Sequence, residues 1–306
     1  MLKCTFATEF ESSSQNKVIG FQFESHFVEM PTLDKIFIPT VNRVNEQITY
    51  QGLPDDLKQK VVFVVQEWER EKYPYEAEYL VLPSEVNLSD YYCISKTRKI
   101  IYEAGQDIKY AVLDDDLTFK RRNARYWTGQ SNMPMSKRVA TSDEIRTMFE
   151  TYSKWLDEPD VTICGCGHDE NPPASTEFRS NGSLGSALWI NGPKFKHILP
   201  ELDLTSVKVA EDTYFLLQML TRGFGNRVSN EFLFHNSSVH KKSVQSDIWD
   251  AQTFENTRRD HEYIASKLPD FFKVLYDENG DRVAGGFRNF GKTRVSWSKA
   301  YKSSLR

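Results

Sequence analysis

What limits this chain most is a regular alternation, from Lys35 onward, of short apolar runs and segments that carry helix signals. Ile36-Phe37-Ile38, Val61 to Val65, Tyr79 to Leu82 and Lys109 to Leu113 read as strands. Asn42 caps a helix that Gly52 ends, and another helix runs from Ser95 as cap to Gly105 as stop. Strands alternating with helices imply an α/β fold with a mostly parallel, Rossmann-type sheet covered on both faces. Further on, Thr141 to Glu144 has capping-box spacing and opens a helix to about Leu156; Val161 to Cys164, Ala187 to Ile190 and Val228 to Phe234 read as strands. Glu211-Asp212 open an apolar helix that Gly223 closes, a long polar helix spans about 246–267, and Asn279-Gly280 marks a hairpin. Residues 1–34 form a β-type extension, 35–245 the main domain, and 246–306 a C-terminal helix and basic tail packed on that domain.

Composition narrows the class. The 306 residues hold 39% hydrophobic side chains, as in an ordinary globular protein. No apolar run approaches the roughly 18 residues needed to cross a bilayer, and Met1 to Phe10 lacks a signal-peptide core; the expectation is a cytoplasmic protein without a membrane partner. Four cysteines do not make a secreted disulfide framework. The net charge of -4 is unevenly spread: from Arg282 to Arg306 there are seven basic and no acidic residues, which leaves 32 basic against 43 acidic before them. In that tail Arg288, Lys292 and Arg294 alternate with Phe287, Phe290, Trp297 and Tyr301, a pattern that suits a phosphate backbone with exposed bases or, equally, a solvated C-terminal element.

The chemistry centres on Asp114-Asp115-Asp116, at the mouth of the strand Lys109 to Leu113. Residues i and i+2 of an extended backbone share a side, so Asp114 and Asp116 converge while Asp115 turns away. Two hard oxygen ligands at this spacing suit Mg²⁺ or Mn²⁺ carrying substrate phosphates; the alternative is a solvated acidic turn. Ligands of open α/β sheets sit at the carboxyl ends of the strands, where Pro39, Thr40 and Arg43 also fall. Arg43 is suited to an anionic nucleotide, or is a surface charge on a helix. Arg98, on the helix before the acidic strand, reaches a diphosphate or neutralises the triplet. Glu211-Asp212 either complement a helix dipole or supply a general base at Asp212. His235 and His240 are candidates to complete a metal shell. Arg121, Arg122, Arg125 and Trp127 follow the triplet and suit contact with a polyanion. Cys164-x-Cys166-x-His168 has only part of a zinc site's spacing, so that strand end and the loop 167–183 are read instead as the acceptor side. No P-loop, nucleophile elbow or dinucleotide glycine fingerprint is present.

An early Pro-Thr-x-x-Arg turn, the acidic triplet and a later Glu-Asp resemble, over residues 35 to 245, glycosyltransferases of the GT-A fold. More narrowly, Phe37-Ile38-Pro39-Thr40-x-x-Arg43, Ile94-Ser95-Lys96-Thr97-Arg98, Leu113 to Phe119 and Glu211-Asp212-Thr213-Tyr214-Phe215 resemble the TET-associated glycosyltransferases of phages. That resemblance implies transfer of a sugar from a nucleotide sugar, a UDP-sugar by expectation, to a 5-hydroxymethylpyrimidine such as 5-hydroxymethylcytosine in DNA, within the host cytoplasm if the chain is phage-encoded. It also implies a Mn²⁺ or Mg²⁺ cofactor with Asp116 as metal ligand, Asp114 on metal or ribose, and His240 or His235 as a further ligand. Pro39, Thr40, Arg43, Arg98, Asp114 and Asp115 would hold the donor, and Asp212 beside Glu211 would be the base of an inverting reaction. Arg121, Arg122, Arg125, Trp127, Arg288, Lys292 and Arg294 would meet the DNA. The acidic body departs from what a duplex binder shows, which leaves a free nucleotide, a glycan or a protein as alternative acceptors. A transferase fold without activity, used to bind nucleic acid, is a further alternative.

Overall fold

Val61 to Val65 carries no polar side chain, and a strand of that kind has to be covered on both faces. It forms β2 (Val61–Gln66), buried along its whole length. The computed structural model describes residues 33–122, 137–171, 176–236, 251–283 and 292–305, which belong to a single unit, Pro31–Arg306.

Around β2 lie β1 (Lys35–Pro39), β3 (Glu78–Leu82), β4 (Lys109–Leu113), β5 (Leu117–Arg122), β6 (Lys137–Val139), β7 (Ile163–His168), β8 (Phe178–Ser180), β9 (Ala187–Asn191) and β10 (Asn226–Asn236). The sheet order is β3-β2-β1-β4-β9-β7-β10-β5-β6, with β8 also on β10. Pairing is parallel from β3 through β2 and β1 to β4, and again between β7 and β10; β9 is antiparallel to both neighbours, and β5, β6 and β8 form an antiparallel flank. The α/β expectation therefore holds, with the parallel block placed where the early apolar runs predict it. A small hairpin, β11 (Phe272–Val274) and β12 (Thr293–Val295), stands apart from this sheet.

The helices are α1 (Ile48–Gly52), α2 (Asp55–Lys58), α3 (Cys93–Ala104), α4 (Ser142–Trp155), α5 (Gly192–Phe195), α6 (Glu211–Thr221), α7 (Ala251–Lys267) and α8 (Trp297–Ser303). Alternation along β2 divides the core between two layers. Val61, Phe63 and Val65 join Trp189 and the α4 residues Met148, Phe149 and Tyr152, whereas Val62 and Val64 join Ile101 and Tyr102 of α3 and Phe215 and Met219 of α6. A third cluster of Leu217, Leu220, Ile264, Phe272 and Ala300 fastens α7 and α8 to α6.

The capping box at Thr141 forms as its spacing predicts, with Glu144 N donating to Thr141 Oγ1 and Thr141 N donating to Glu144. Elsewhere the structure corrects the reading. Asn42 caps nothing: it takes a left-handed φ of 58° in a loop, and the helix that Gly52 ends starts only at Ile48. Ser95 lies inside α3 rather than at its cap. The strand after α4 runs on through Gly165 to His168, because its small residues let it press against β9. Residues 1–32 of the extension 1–34, and His240, Arg125, Trp127 and Arg288, lie outside the described residues.

Candidate active site

At the carboxyl ends of β1 to β4 the strand termini part and leave a cleft of about 270 Å³. Open α/β sheets bind ligands in this position. Pro39 at the end of β1, Thr40 after it and Asp114 to Asp116 in the turn after β4 form its floor, with Arg98 of α3 at the side. Glu211 at the start of α6, Lys208 just before it and Asn236 at the end of β10 complete the wall.

The three aspartates have different surroundings. Asp114 accepts from Arg98 Nη2 at 2.6 Å. Asp116 Oδ1 accepts from Asn236 Nδ2 at 2.9 Å, and its other oxygen is 3.7 Å from Arg43. Asp115 is buried at 5% exposure, accepts from Thr40 Oγ1 at 2.7 Å and pairs with the Arg43 guanidinium. Burial pushes the Asp115 carboxyl up to about 7, against the pull of Arg43 and Thr40. Gln47 holds the other side of this hub, donating to Thr40 Oγ1 at 2.7 Å and to the Arg43 carbonyl at 2.8 Å. Thr49 of α1 pins the acidic turn: its backbone N donates to the Asp115 carbonyl at 3.0 Å, and its Oγ1 donates to the Asp114 carbonyl and accepts from Leu117 N at 2.8 Å. Arg43 is thus a buried cation that lines the cleft, not a helix-surface charge.

Arg98 differs from Arg43. Its Nη2 is held by Asp114, but its Nη1 is buried with no hydrogen-bond partner. Burial works against its charge, and Asp114, Tyr102 and Glu211 outweigh it, so its pKa is raised. A desolvated donor of this kind next to a cleft is costly unless a ligand satisfies it.

Glu211 and Asp212 occupy the first turn of α6, behind Ala210 at φ 61°. Burial raises both carboxyls above the ordinary range, with Asp212 adding repulsion to Glu211, and Arg98 drawing the other way on each. Glu211 faces the cleft. Asp212 Oδ1 accepts from Thr213 N at 2.6 Å, and Oδ2 lies 3.0 Å from where a Cβ on Gly185 would stand. Asp212 is therefore turned to the segment that enters β9, and Glu211 rather than Asp212 is among the residues that line the cleft.

Along β10, His235 and Asn236 point to opposite sides. Asn236 reaches Asp116, whereas His235 Nδ1 lies 3.2 Å from Asp169 Oδ1 and His168 Nδ1 lies 3.5 Å from the same oxygen. His168, Asp169 and His235 have ligand atoms within 4.8 Å of one another, close enough to share a metal ion. The carboxylate is already served by cations: Lys120 and Lys137 approach Oδ2 at 2.7 and 3.2 Å. Burial opposes its charge, but Lys120, His235 and Lys137 outweigh that and hold its pKa below the usual range. Cys164 and Cys166 are buried in β7 with burial raising both thiols, and Cys164 Sγ donates to the Tyr152 carbonyl, so they pack under α4 apart from His168.

The basic candidates divide by environment. Arg121 pairs with Glu144 at 2.8 Å and donates to Glu231 at 2.7 Å. Arg122 is 4% exposed and donates to the carbonyls of Asn230 and Asn171. Both are tied into the sheet, Arg121 half-buried and Arg122 buried. Lys292 and Arg294 are exposed. The sequence reading passes over Asn236, Lys208 and Thr49. Asn236 directly follows a histidine already singled out and Lys208 stands three positions before Glu211, but the role of Thr49 depends on α1 folding back on the turn, which no local pattern reports.

A model of the family described as TET-Associated Glycosyltransferase matches residues 34–244, more than half of the chain. No curated protein matches it. Among solved structures, a putative glucose-1-phosphate thymidylyltransferase from Bacillus anthracis is 9% identical, with a TM-score of 0.38 over 70% of this chain and 94% of that one. The glycosyltransferase GlyE of Streptococcus pneumoniae TIGR4 is 14% identical, with a TM-score of 0.36 over 64% of this chain and 45% of that one.

Proposed function

Because the chain belongs to the TET-associated glycosyltransferase family, we propose that it moves a sugar from a UDP-sugar to the hydroxymethyl group of 5-hydroxymethylcytosine, or of another 5-hydroxymethylpyrimidine, in DNA. The observation that carries this reading is the convergence of Asp114, Asp116, Arg98 and Glu211 on one cleft at the carboxyl ends of parallel strands. An acidic floor with a buried, half-satisfied arginine is unsuited to an apolar guest and suited to a diphosphate accompanied by a cation.

The donor set fits such a cation. Asp114 and Asp116 present hard oxygens from one side only, as suits Mn²⁺ or Mg²⁺ that keeps positions for phosphate and water. When bound, the ion supplies positive charge against the departing diphosphate. Arg98, with its buried Nη1 lacking a hydrogen-bond partner, adds a second positive charge from α3. Asp115, Arg43 and Thr40 hold the floor beside them.

Asp212 is the base in this reading. The acceptor oxygen attacks the anomeric carbon, the bond from that carbon to the diphosphate oxygen breaks, and the hydroxyl proton passes to the Asp212 carboxylate; attack opposite the leaving group inverts configuration. Its placement beside Gly185, off the donor floor, suits a group that meets the acceptor rather than the nucleotide. A base in DNA has to leave the stack, or be single-stranded, to reach it.

A free hydroxymethyl nucleotide is the second reading for the acceptor, favoured by the internal pairing of Arg121 and Arg122. Both readings meet one experiment: a panel of nucleotide sugars with Mn²⁺, offered plain DNA, hydroxymethylated DNA and the free modified nucleotide, with nucleoside diphosphate release and product mass as readouts. We expect transfer to hydroxymethylated DNA; transfer to none of the three would refute the modification of hydroxymethylpyrimidines.

A further inference from the structure

The segment that delivers Lys208 and Glu211 to the cleft is irregular, and Ala210, the residue before α6, stands at φ 61°. A residue with a Cβ keeps that conformation only when its surroundings fix it. The two residues before Ala210 are held from α7, beyond residue 244 where the family match ends. Asp260, 1% exposed, accepts with Oδ2 from Lys208 N at 2.9 Å and from Val209 N at 3.0 Å. The same oxygen accepts from Tyr91 OH at 2.8 Å. Tyr91 belongs to the segment entering α3, whose Leu88, Asp90 and Cys93 line the cleft. One carboxylate oxygen therefore joins two walls of the site.

The surroundings reinforce the joint. Ser95 Oγ donates to the Val207 carbonyl, and the cations of Lys208 and Arg259 each lie 5.0 Å from the centre of the Tyr91 ring. On the same face of α7, three and four positions on, Tyr263 donates to Asp203 at 2.7 Å and Ile264 enters the cluster with Leu217 and Leu220 of α6. Asp203 also accepts from Tyr214 of α6 at 3.1 Å. The helix is thus anchored to the element whose first turn carries Glu211 and Asp212.

We infer that Asp260 is a positioning residue for glycosyl transfer: it latches the Lys208–Asp212 segment to the Tyr91 wall and so sets where Lys208, Glu211 and Asp212 stand. The inference rests on the reading of this cleft as the transferase site. It ties α7 to the wall of the active centre.

The test compares Asp260→Ala with Asp260→Asn in the full chain. The alanine removes the acceptor; the asparagine keeps an oxygen for the same donors. Backbone hydrogen exchange of residues 207–212 and steady-state release of nucleoside diphosphate are both measured. We expect Asp260→Ala to lose protection in that segment while β1 and β4 keep theirs, and to lose at least tenfold in kcat at saturating donor; Asp260→Asn returns both to within about threefold of wild type. Should the alanine protein unfold, Tyr91→Phe takes its place, with expected exchange loss at 207–212 and a smaller fall in kcat. Unchanged exchange in that segment, or equal losses in Asp260→Asn and Asp260→Ala, would overturn the latch. If wild type turns over none of the nucleotide sugars, the proposed function fails by itself, and exchange still decides the latch.

Discussion

Three aspartates that are indistinguishable in the sequence differ once each is placed. Period-two geometry predicts that Asp115 leaves the side shared by its neighbours, but β4 ends at Leu113, Asp115 and Asp116 form a turn, all three aspartates line the cleft, and Arg43 approaches Asp115 and Asp116 alike. Nor does the pattern report that Arg43 is the partner of Asp115, since that pairing joins residues 72 positions apart in the chain. The proposed roles then separate by experiment. Asp116→Ala is expected to abolish Mn²⁺-stimulated transfer, and a variant that still transfers sugar without metal would remove the metal assignment. Asp212→Asn is expected to lose about 100-fold or more in kcat, the usual scale of a positioned base. The pH dependence follows in sign. A base acts ionised, and Glu211 and Asp212 both have carboxyls raised by burial, so kcat should fall as pH drops through a limb above the ordinary carboxylate value of about 4. The limb belongs to the pair. Glu211→Gln removes one member of the pair and should change the limb; a pH–rate profile identical in this variant and in wild type would contradict the coupling.

Elements show why some strands are legible and others are not. β1, β2 and β4 are built on the apolar runs Ile36–Ile38, Val61–Val65 and Tyr110–Leu113, which are buried on both faces. β5 follows a charged turn as Leu-Thr-Phe-Lys-Arg-Arg, and its strand identity comes from pairing with β10 over a hundred residues later. β7 reads as a loop at Gly165 because glycine commonly marks one, yet here it marks close packing. A Cβ on Gly165 would lie 2.3 Å from the Ala187 carbonyl oxygen, a backbone atom of β9 that cannot yield without opening the sheet. Gly165→Ala is therefore expected to lower stability by about 1–3 kcal/mol in urea unfolding, as overpacking does. Gly52→Ala is the control: nothing lies within 4 Å of the added carbon, and the glycine ends α1 without a positive φ. Its stability should be unchanged or slightly higher, by up to about 1 kcal/mol. Comparable losses at the two glycines would show that contact with β9 is not what forbids a side chain at 165.

At the scale of the molecule, charge decides how the acceptor is met. Net charge and the basic tail are plain in the sequence, but whether a cation is available is a tertiary property. Arg121 and Arg122 are adjacent to the acidic turn and still spend their guanidiniums on Glu144, Glu231 and backbone carbonyls. In the tail, Arg282 donates to the Arg258 carbonyl and Lys299 lies 3.3 Å from Asp270, while Lys292 and Arg294 are exposed. Each phosphate neutralised on a duplex contributes about -0.9 to the slope of log K against log salt. Six basic candidates acting together would give a slope of about -5; removing the two internal arginines leaves at most four, for about -4, and the two exposed tail residues alone give about -2. Binding of hydroxymethylated DNA titrated across a range of salt should therefore show a slope between about -2 and -4. Lys292→Ala with Arg294→Ala should reduce its magnitude by roughly 2, because two phosphate contacts are lost. A slope near -5 would return Arg121 and Arg122 to the DNA surface, and a slope near zero would favour the free nucleotide, which has no row of phosphates to release counterions from.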